Sequence, residues 1–66
     1  MTTADLLADL GARSDLARLV ERVNRERVPW IVVSAAAVNG WTRRDPEAWA
    51  KFSAWLAEQG VALVRI

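Results

Sequence analysis

Leucines at helical spacing predict a short helix at the start of the chain. Thr2 or Thr3 can cap it, and Gly11 is placed to end it. The apolar stripe between these ends consists of Leu6, Leu7 and Leu10. We therefore expect an amphipathic helix with one face towards a core.

A second helix is predicted between Ser14 and Pro29. Ser14 is a suitable N-cap, and the residue before Pro29 is pushed towards extended backbone, which stops the helix. Its apolar face consists of Leu16, Leu19, Val20 and Val23. Its opposite face carries Arg18, Arg22 and Arg25, with Glu21 and Glu26 among them. This pattern indicates a solvated, salt-bridged face, and the alternative is contact with phosphates or with an acidic protein surface.

The β-branched run after Pro29 predicts the first strand, Trp30 to Val33. Both faces of this strand are apolar, which is typical of a strand that is covered on two sides. We expect the small residues of 34–38 to continue it, and Asn39-Gly40 to form a turn. Trp30 is expected to pack either in the core or against a partner.

A third helix is predicted to start at Pro46, because Asp45 is a suitable cap and Glu47 lies in the first turn. Its core-facing stripe consists of Trp49, Phe52 and Leu56. Trp55 lies at the edge of that stripe, either in the core or as a half-exposed anchor for a partner. Gly60 is expected to end the helix.

The segment Val61 to Ile66 predicts a second strand directly after Gly60. Strand, helix and strand then form a minimal parallel βαβ unit. The predicted fold is a small α/β or α+β domain over residues 1–66, in the order α-α-β-α-β. Two parallel strands are too few to be stable alone in water, so we expect another copy or a different protein to complete the sheet.

The composition favours binding over catalysis. The chain has 66 residues with no His, Cys or Tyr, which removes imidazole, thiol and phenol chemistry and the usual soft-metal ligands. Its carboxylates have evident capping or ion-pair uses. Four tryptophans supply large, rigid apolar surfaces. We therefore expect no enzymatic activity, no cofactor and no metal site.

The charge pattern points neither to a polyanion nor to a membrane. Nine basic and eight acidic residues give a net charge of +1, so any nucleic-acid contact must rest on a local patch. The longest uncharged run, residues 28–38, is far shorter than the ~20 residues that span a bilayer. The first residues lack the features of a signal peptide. We expect a cytoplasmic protein with no membrane partner.

The leading partner-binding candidate is the predicted loop after the first strand. It brings together an aromatic ring, a hydroxyl group and two guanidinium groups, from Trp41, Thr42, Arg43 and Arg44. Ligands of α/β proteins often bind at this end of a strand, and arginines hold carboxylates or phosphates. The alternative is a solvated loop anchored by its tryptophan. Trp55 is the additional candidate for partner contact.

The stretch Leu19 to Val33 resembles part of the Phd/YefM-type antitoxins. The shared pattern is a helix with Leu19 and Arg22-Val23-Asn24, then Pro29 and a strand. The resemblance implies a dimer that binds operator DNA and whose C-terminal segment wraps a toxin. It covers less than a third of the chain. The family opens with a strand where this sequence predicts a helix, and its toxin-binding tail is replaced here by an apolar strand, so we do not assign the chain to it.

We interpret the chain as a non-enzymatic protein-binding module that acts by covering the surface of a larger protein of unknown identity. Its size suggests an inhibitor of the phage or mobile-element type, anti-defence or toxin-neutralising. One alternative is a dimeric DNA-binding regulator that uses Arg18, Arg22 and Arg25. Another is a structural subunit that adds Val61 to Ile66 to a partner's sheet. A helix-turn-helix with its turn at residues 11–15 fits poorly, because Asp15 would begin the recognition helix.

Overall fold

The computed structural model describes residues 2–11 and 14–66. Within them, four helices accompany a two-stranded parallel sheet. The elements are α1 (Thr3–Leu10), α2 (Asp15–Glu26), β1 (Trp30–Val33), α3 (Ala35–Arg44), α4 (Pro46–Gln59) and β2 (Ala62–Arg65). The predicted mixture of helices with a parallel strand pair is confirmed, but the predicted order lacks α3.

Side-chain caps define the first two helices as predicted. Thr2 and Asp5 form a capping box on α1, in which the Asp5 N–H donates to Thr2 Oγ1 at 3.1 Å. Hydrogen bonds from Thr2, its side chain first and its backbone second, lower the pKa of the Asp5 carboxyl group. Ser14 Oγ accepts the Leu16 N–H at 3.2 Å at the start of α2. The proposed turn at residues 11–15 includes Ala12 and Arg13, which lie outside the described residues.

Helix α3 replaces the predicted strand extension and turn. Ser34 Oγ accepts the Ala37 N–H at 3.0 Å, so Ser34 ends the strand by capping a helix. The alanines that follow have the highest helix propensity, which outweighs the penalty for Gly40 inside the helix. The interpretation of residues 34–38 as strand and of Asn39-Gly40 as a turn is therefore wrong. α4 follows without a loop, because Asp45 ends α3 and caps α4.

The core lies between the helices and one side of the sheet. Its buried cluster contains Leu6, Leu16, Val20, Val23, Ile31, Phe52, Trp55 and Leu56, with Trp49 half-buried against it. The predicted α4 stripe is confirmed as core at Phe52 and Leu56, and Trp49 lies at the edge of the core. The alternative that Trp55 is a half-exposed anchor is wrong, since this residue is 2% exposed. Trp55 is buried because α1 packs on α4. Thr3 Oγ1 of α1 accepts the Trp55 indole N–H at 3.3 Å.

The two strands pair in parallel with a continuous register. The pairs are Trp30 with Ala62, Ile31 with Leu63, Val32 with Val64 and Val33 with Arg65. The ladder continues to Ile66, whose N–H donates to the Val33 carbonyl at 3.0 Å and whose carbonyl accepts the Ala35 N–H at 2.9 Å. The described helices cover only the side of Ile31 and Val33, so within this chain the expected cover is confirmed on one side of the strand, and cover of the other side by a partner stays a prediction.

Between residues 2 and 11 and from 14 to 66, every helix is too short or too polar to cross a bilayer.

Candidate interaction surface

The uncovered side of the sheet is an apolar surface made by alternate residues of both strands. We call it the open face, and it consists of Trp30, Val32, Ala62, Val64 and Ile66. Trp30 is 58% exposed, Val32 51%, Val64 40% and Ile66 79%. In the described chain, these four are the exposed large apolar side chains, and all of them lie on this one surface.

The open face follows from the two-residue period of a strand. Successive side chains point to opposite sides, so Ile31 and Val33 enter the core while Trp30 and Val32 face away from it. The parallel register places Val32 beside Val64, which joins the two strands into one apolar surface. Trp30 lies beside the small side chain of Ala62, which leaves space around the indole.

The chemistry of the open face is that of apolar contact. Its only polar side-chain group is the indole N–H of Trp30, and none of its five side chains carries a charge. Such a surface can exclude water and pack against another apolar surface, but it offers no ligand for an anion or a metal ion. Contiguous exposed apolar patches mark interaction sites more often than scattered apolar residues do.

The structure places the predicted loop candidates on the last turns of α3. Trp41 is half-buried and stacks on Trp49, with ring centroids 5.6 Å apart and planes at 15°. Thr42 Oγ1 donates to the Asn39 carbonyl at 3.1 Å, and Arg44 Nε donates to the Gly40 carbonyl at 3.3 Å. Their location in a loop is therefore wrong, and their role in partner contact stays a prediction.

Arg43 and Arg44 also have a local role, because both lie in the last turn of α3. Basic side chains there interact favourably with the negative end of the helix dipole.

The arginine row of α2 is exposed, as predicted. Arg22 Nε lies 3.0 Å from Glu26 Oε2, an ion pair across one helical turn. Exposed pairs of this kind are worth about 0.3–0.5 kcal/mol. The prediction of a salt-bridged face is thus confirmed at Arg22, while any contact of Arg18 or Arg25 with phosphates or a protein stays a prediction.

A groove between α2 and α3 brings two sets of predicted residues together. Its volume is about 350 Å³, and Trp41 shares it with Arg18 and Arg22. The other lining residues are Asp15, Leu19, Val33, Ser34 and Ala37. Neither Arg25, Thr42 nor Arg43 lines this groove. The sequence pattern did not predict it, because it exists only if residues 35–44 form a helix.

Trp41 also borders a cavity on its other side, together with Arg44. This cavity, of about 270 Å³, lies between the ends of the helices and is lined in addition by Leu10, Ser14, Asp15, Leu16, Asp45 and Ala48. Thr42 and Arg43 are absent from its lining as well, so the four predicted loop residues do not form one site.

Comparisons with known protein families, with curated proteins and with solved structures find no match to this chain. Throughout the described ranges, every buried side-chain nitrogen or oxygen has a hydrogen-bond partner, and no group of three acidic side chains could hold a metal ion. In the described chain, the packing of helices and strands leaves the open face exposed to solvent.

Proposed function

We propose that this protein is a non-enzymatic protein-binding module and that the open face is its binding surface. The observation that carries the proposal is the gathering of the exposed large apolar side chains on one side of the sheet. A partner that covers this face removes apolar surface from water, which favours association. Trp30 is the expected anchor, because tryptophans are enriched among residues that dominate binding energy.

The binding partner would supply the layer that the sheet lacks. Sheets in stable domains are usually packed on both sides or left polar on the solvent side, and this sheet is neither. Where the partner is a different protein, occlusion of its surface by this chain is the simplest mechanism. The predicted role as an inhibitor of the phage or mobile-element type and the predicted cytoplasmic location remain predictions.

Matched charge variants test the proposal. Val32→Lys places a charge in the centre of the open face, and Ala57→Lys adds the same charge at an exposed position of α4. In-cell cross-linking with mass spectrometry should find a protein that is captured by the wild type and by Ala57→Lys but lost with Val32→Lys. Circular dichroism must show that both variants are folded. Equal capture by all three proteins would contradict the proposal.

The α2–α3 groove is a second candidate surface, favoured by the juxtaposition of Trp41 with Arg18 and Arg22. Arg18→Glu reverses a charge at its rim, whereas Trp41→Ala would also remove the stack on Trp49. Arg25→Glu is the matched control on the same helix. Capture that is lost with Arg18→Glu but kept with Val32→Lys and Arg25→Glu would assign binding to the groove.

Two alternatives from the sequence remain predictions with their own tests. A dimeric DNA-binding regulator should bind random duplex DNA with an affinity that falls steeply with salt, because phosphate contacts release counterions.

A subunit that adds a strand to a partner's sheet would use the unpaired edge of β2, since each strand of a two-stranded sheet has one edge without a neighbour. Amide exchange along β2 would slow on complex formation.

A further inference from the structure

We propose that a second copy of this chain covers the open face, so that the protein forms a symmetric, reversible dimer in which two sheets pack face to face. The inference rests on the proposed function, because it names the occupant of the same surface. In such a dimer the same patch is used by both copies, and it must be complementary to itself.

The absence of charged side chains makes the open face complementary to itself. The nine basic and eight acidic residues of the chain all occupy other positions. A surface that selects a different protein by charge would repel its own copy, because like charges would meet across the symmetry axis. Two open faces can meet without burying an unpaired charged side chain, and among their side chains only the indole of Trp30 needs a polar neighbour or water.

The layer arrangement also fits a second copy. Each protomer has helices on one side of its sheet, so two sheets packed together are covered on both sides. Sheets packed face to face lie about 10 Å apart, with the side chains of their inner faces interdigitated. Trp30, Val32, Val64 and Ile66 of each protomer would fill this layer.

The size of the open face limits the area that the dimer can bury. The exposed fractions of its four large side chains equal rather more than two fully exposed ones, or on the order of 450 Å² at about 200 Å² each. A dimer would then bury on the order of 900 Å² in total, below the roughly 1,200 Å² of standard interfaces. We therefore infer weak association, populated between micromolar and millimolar concentration.

Sedimentation velocity over that concentration range tests the inference. The wild type and Ala57→Lys should sediment increasingly as dimers at higher concentration. Val32→Lys should weaken dimerisation at least about 100-fold, because it buries an unpaired charge. Ile66→Lys is the second variant. Its residue lies beyond the last residue of β2 and is 79% exposed, so this change spares the fold.

The indole N–H signals of the four tryptophans provide an independent measurement by NMR. The signal of Trp30 should shift with wild-type concentration, while that of the buried Trp55 should stay in place. A wild type that is monomeric throughout, a dimer that survives both lysine variants, or a dimer with an unmoved Trp30 signal would each overturn the inference.

The outcome for the dimer can be separated from the outcome for the proposed function. A monomeric chain that captures another protein in a Val32-dependent manner would overturn the second copy and leave the open face as the binding surface. A monomeric chain that captures nothing would overturn both.

Discussion

Val32 and Val33 are neighbours of the same type in the same strand, and they lie on opposite sides of the sheet. Val33 is 8% exposed and faces the helices, whereas Val32 is 51% exposed on the open face. Intrinsic strand propensity is shared by the two positions, so any difference in their contribution comes from burial. Two of the four apolar side chains of β1, those of Trp30 and Val32, therefore lie outside the core of the monomer.

The four tryptophans differ in burial in the same way as the two valines. Trp55 is 2% exposed, and its indole N–H has a partner in Thr3, whereas Trp30 is 58% exposed on the open face. Trp41 and Trp49 stack on each other between these extremes. Four residues of one type therefore divide between folding and the proposed binding.

The largest expected effect is the contrast between Trp55→Ala and Trp30→Ala. Loss of the buried indole should lower the free energy of unfolding by about 3–5 kcal/mol, enough to unfold a small domain. Trp30→Ala should lower it by no more than about 1 kcal/mol, because most of this side chain is already exposed and the loss is mainly one of strand propensity. Urea denaturation at submicromolar concentration, below the range of the proposed dimer, measures both. Comparable losses would mean that the open face is packed in the monomer.

The valine pair gives the next largest effect and the closest control. Val33→Ala should destabilise the protein by about 2 kcal/mol through lost burial and a small cavity. Val32→Ala, with the same change in strand propensity, should cost well under 1 kcal/mol. The difference between the two urea midpoints is the quantity of interest. If it is close to zero, the assignment of the two sides of β1 is wrong.

Ser34→Ala tests whether β1 ends and α3 begins at Ser34. Loss of the bond from the Ala37 N–H to Ser34 Oγ should cost about 1 kcal/mol, the usual value for an N-cap. Ser53→Ala, inside α4, is the control and should be neutral or slightly stabilising because alanine is the better helix former. No loss at Ser34 would favour a strand that continues through residues 34–38.

The smallest effect concerns the cap of α1, the helix that covers Trp55. Because hydrogen bonds from Thr2 lower the pKa of Asp5 in the folded protein, this group stabilises the fold above its unfolded pKa. That contribution is lost as the pH falls through the folded pKa. NMR titration of the Asp5 carboxyl group should show a lowered pKa in the wild type that returns towards its ordinary value in Thr2→Ala. The same pKa in both proteins would contradict the capping box.

Local signals predicted a large part of the fold. The caps at Thr2, Ser14 and Asp45 and the helix end at Gly60 depend on residues next to one another in the chain. The parallel pair followed from two apolar runs around a helical segment. Helix α3 is not predicted by the sequence, because Asn39-Gly40 is a strong turn signal and Ser34, which caps the helix, directly follows the β-branched run.

The candidate surface was less accessible to sequence reasoning. The partner-contact residues Trp41 and Trp55 were chosen by their neighbours in the chain, but the first stacks on Trp49 and the second lies under α1. The sequence does not decide between core and partner for Trp30. The two-residue alternation predicts that Trp30 and Ile31 face opposite sides of the sheet, but it does not predict which side is covered.

The sequence alone determined the elements that depend on near neighbours: three of the helices, both strands and the parallel pairing, since caps, prolines and periodicity act over a few residues. Only the tertiary structure decided which tryptophans are buried and which side of the sheet stays open. That decision depends on where helices distant in sequence pack, and all of them that cover the sheet do so from the side of Ile31 and Val33.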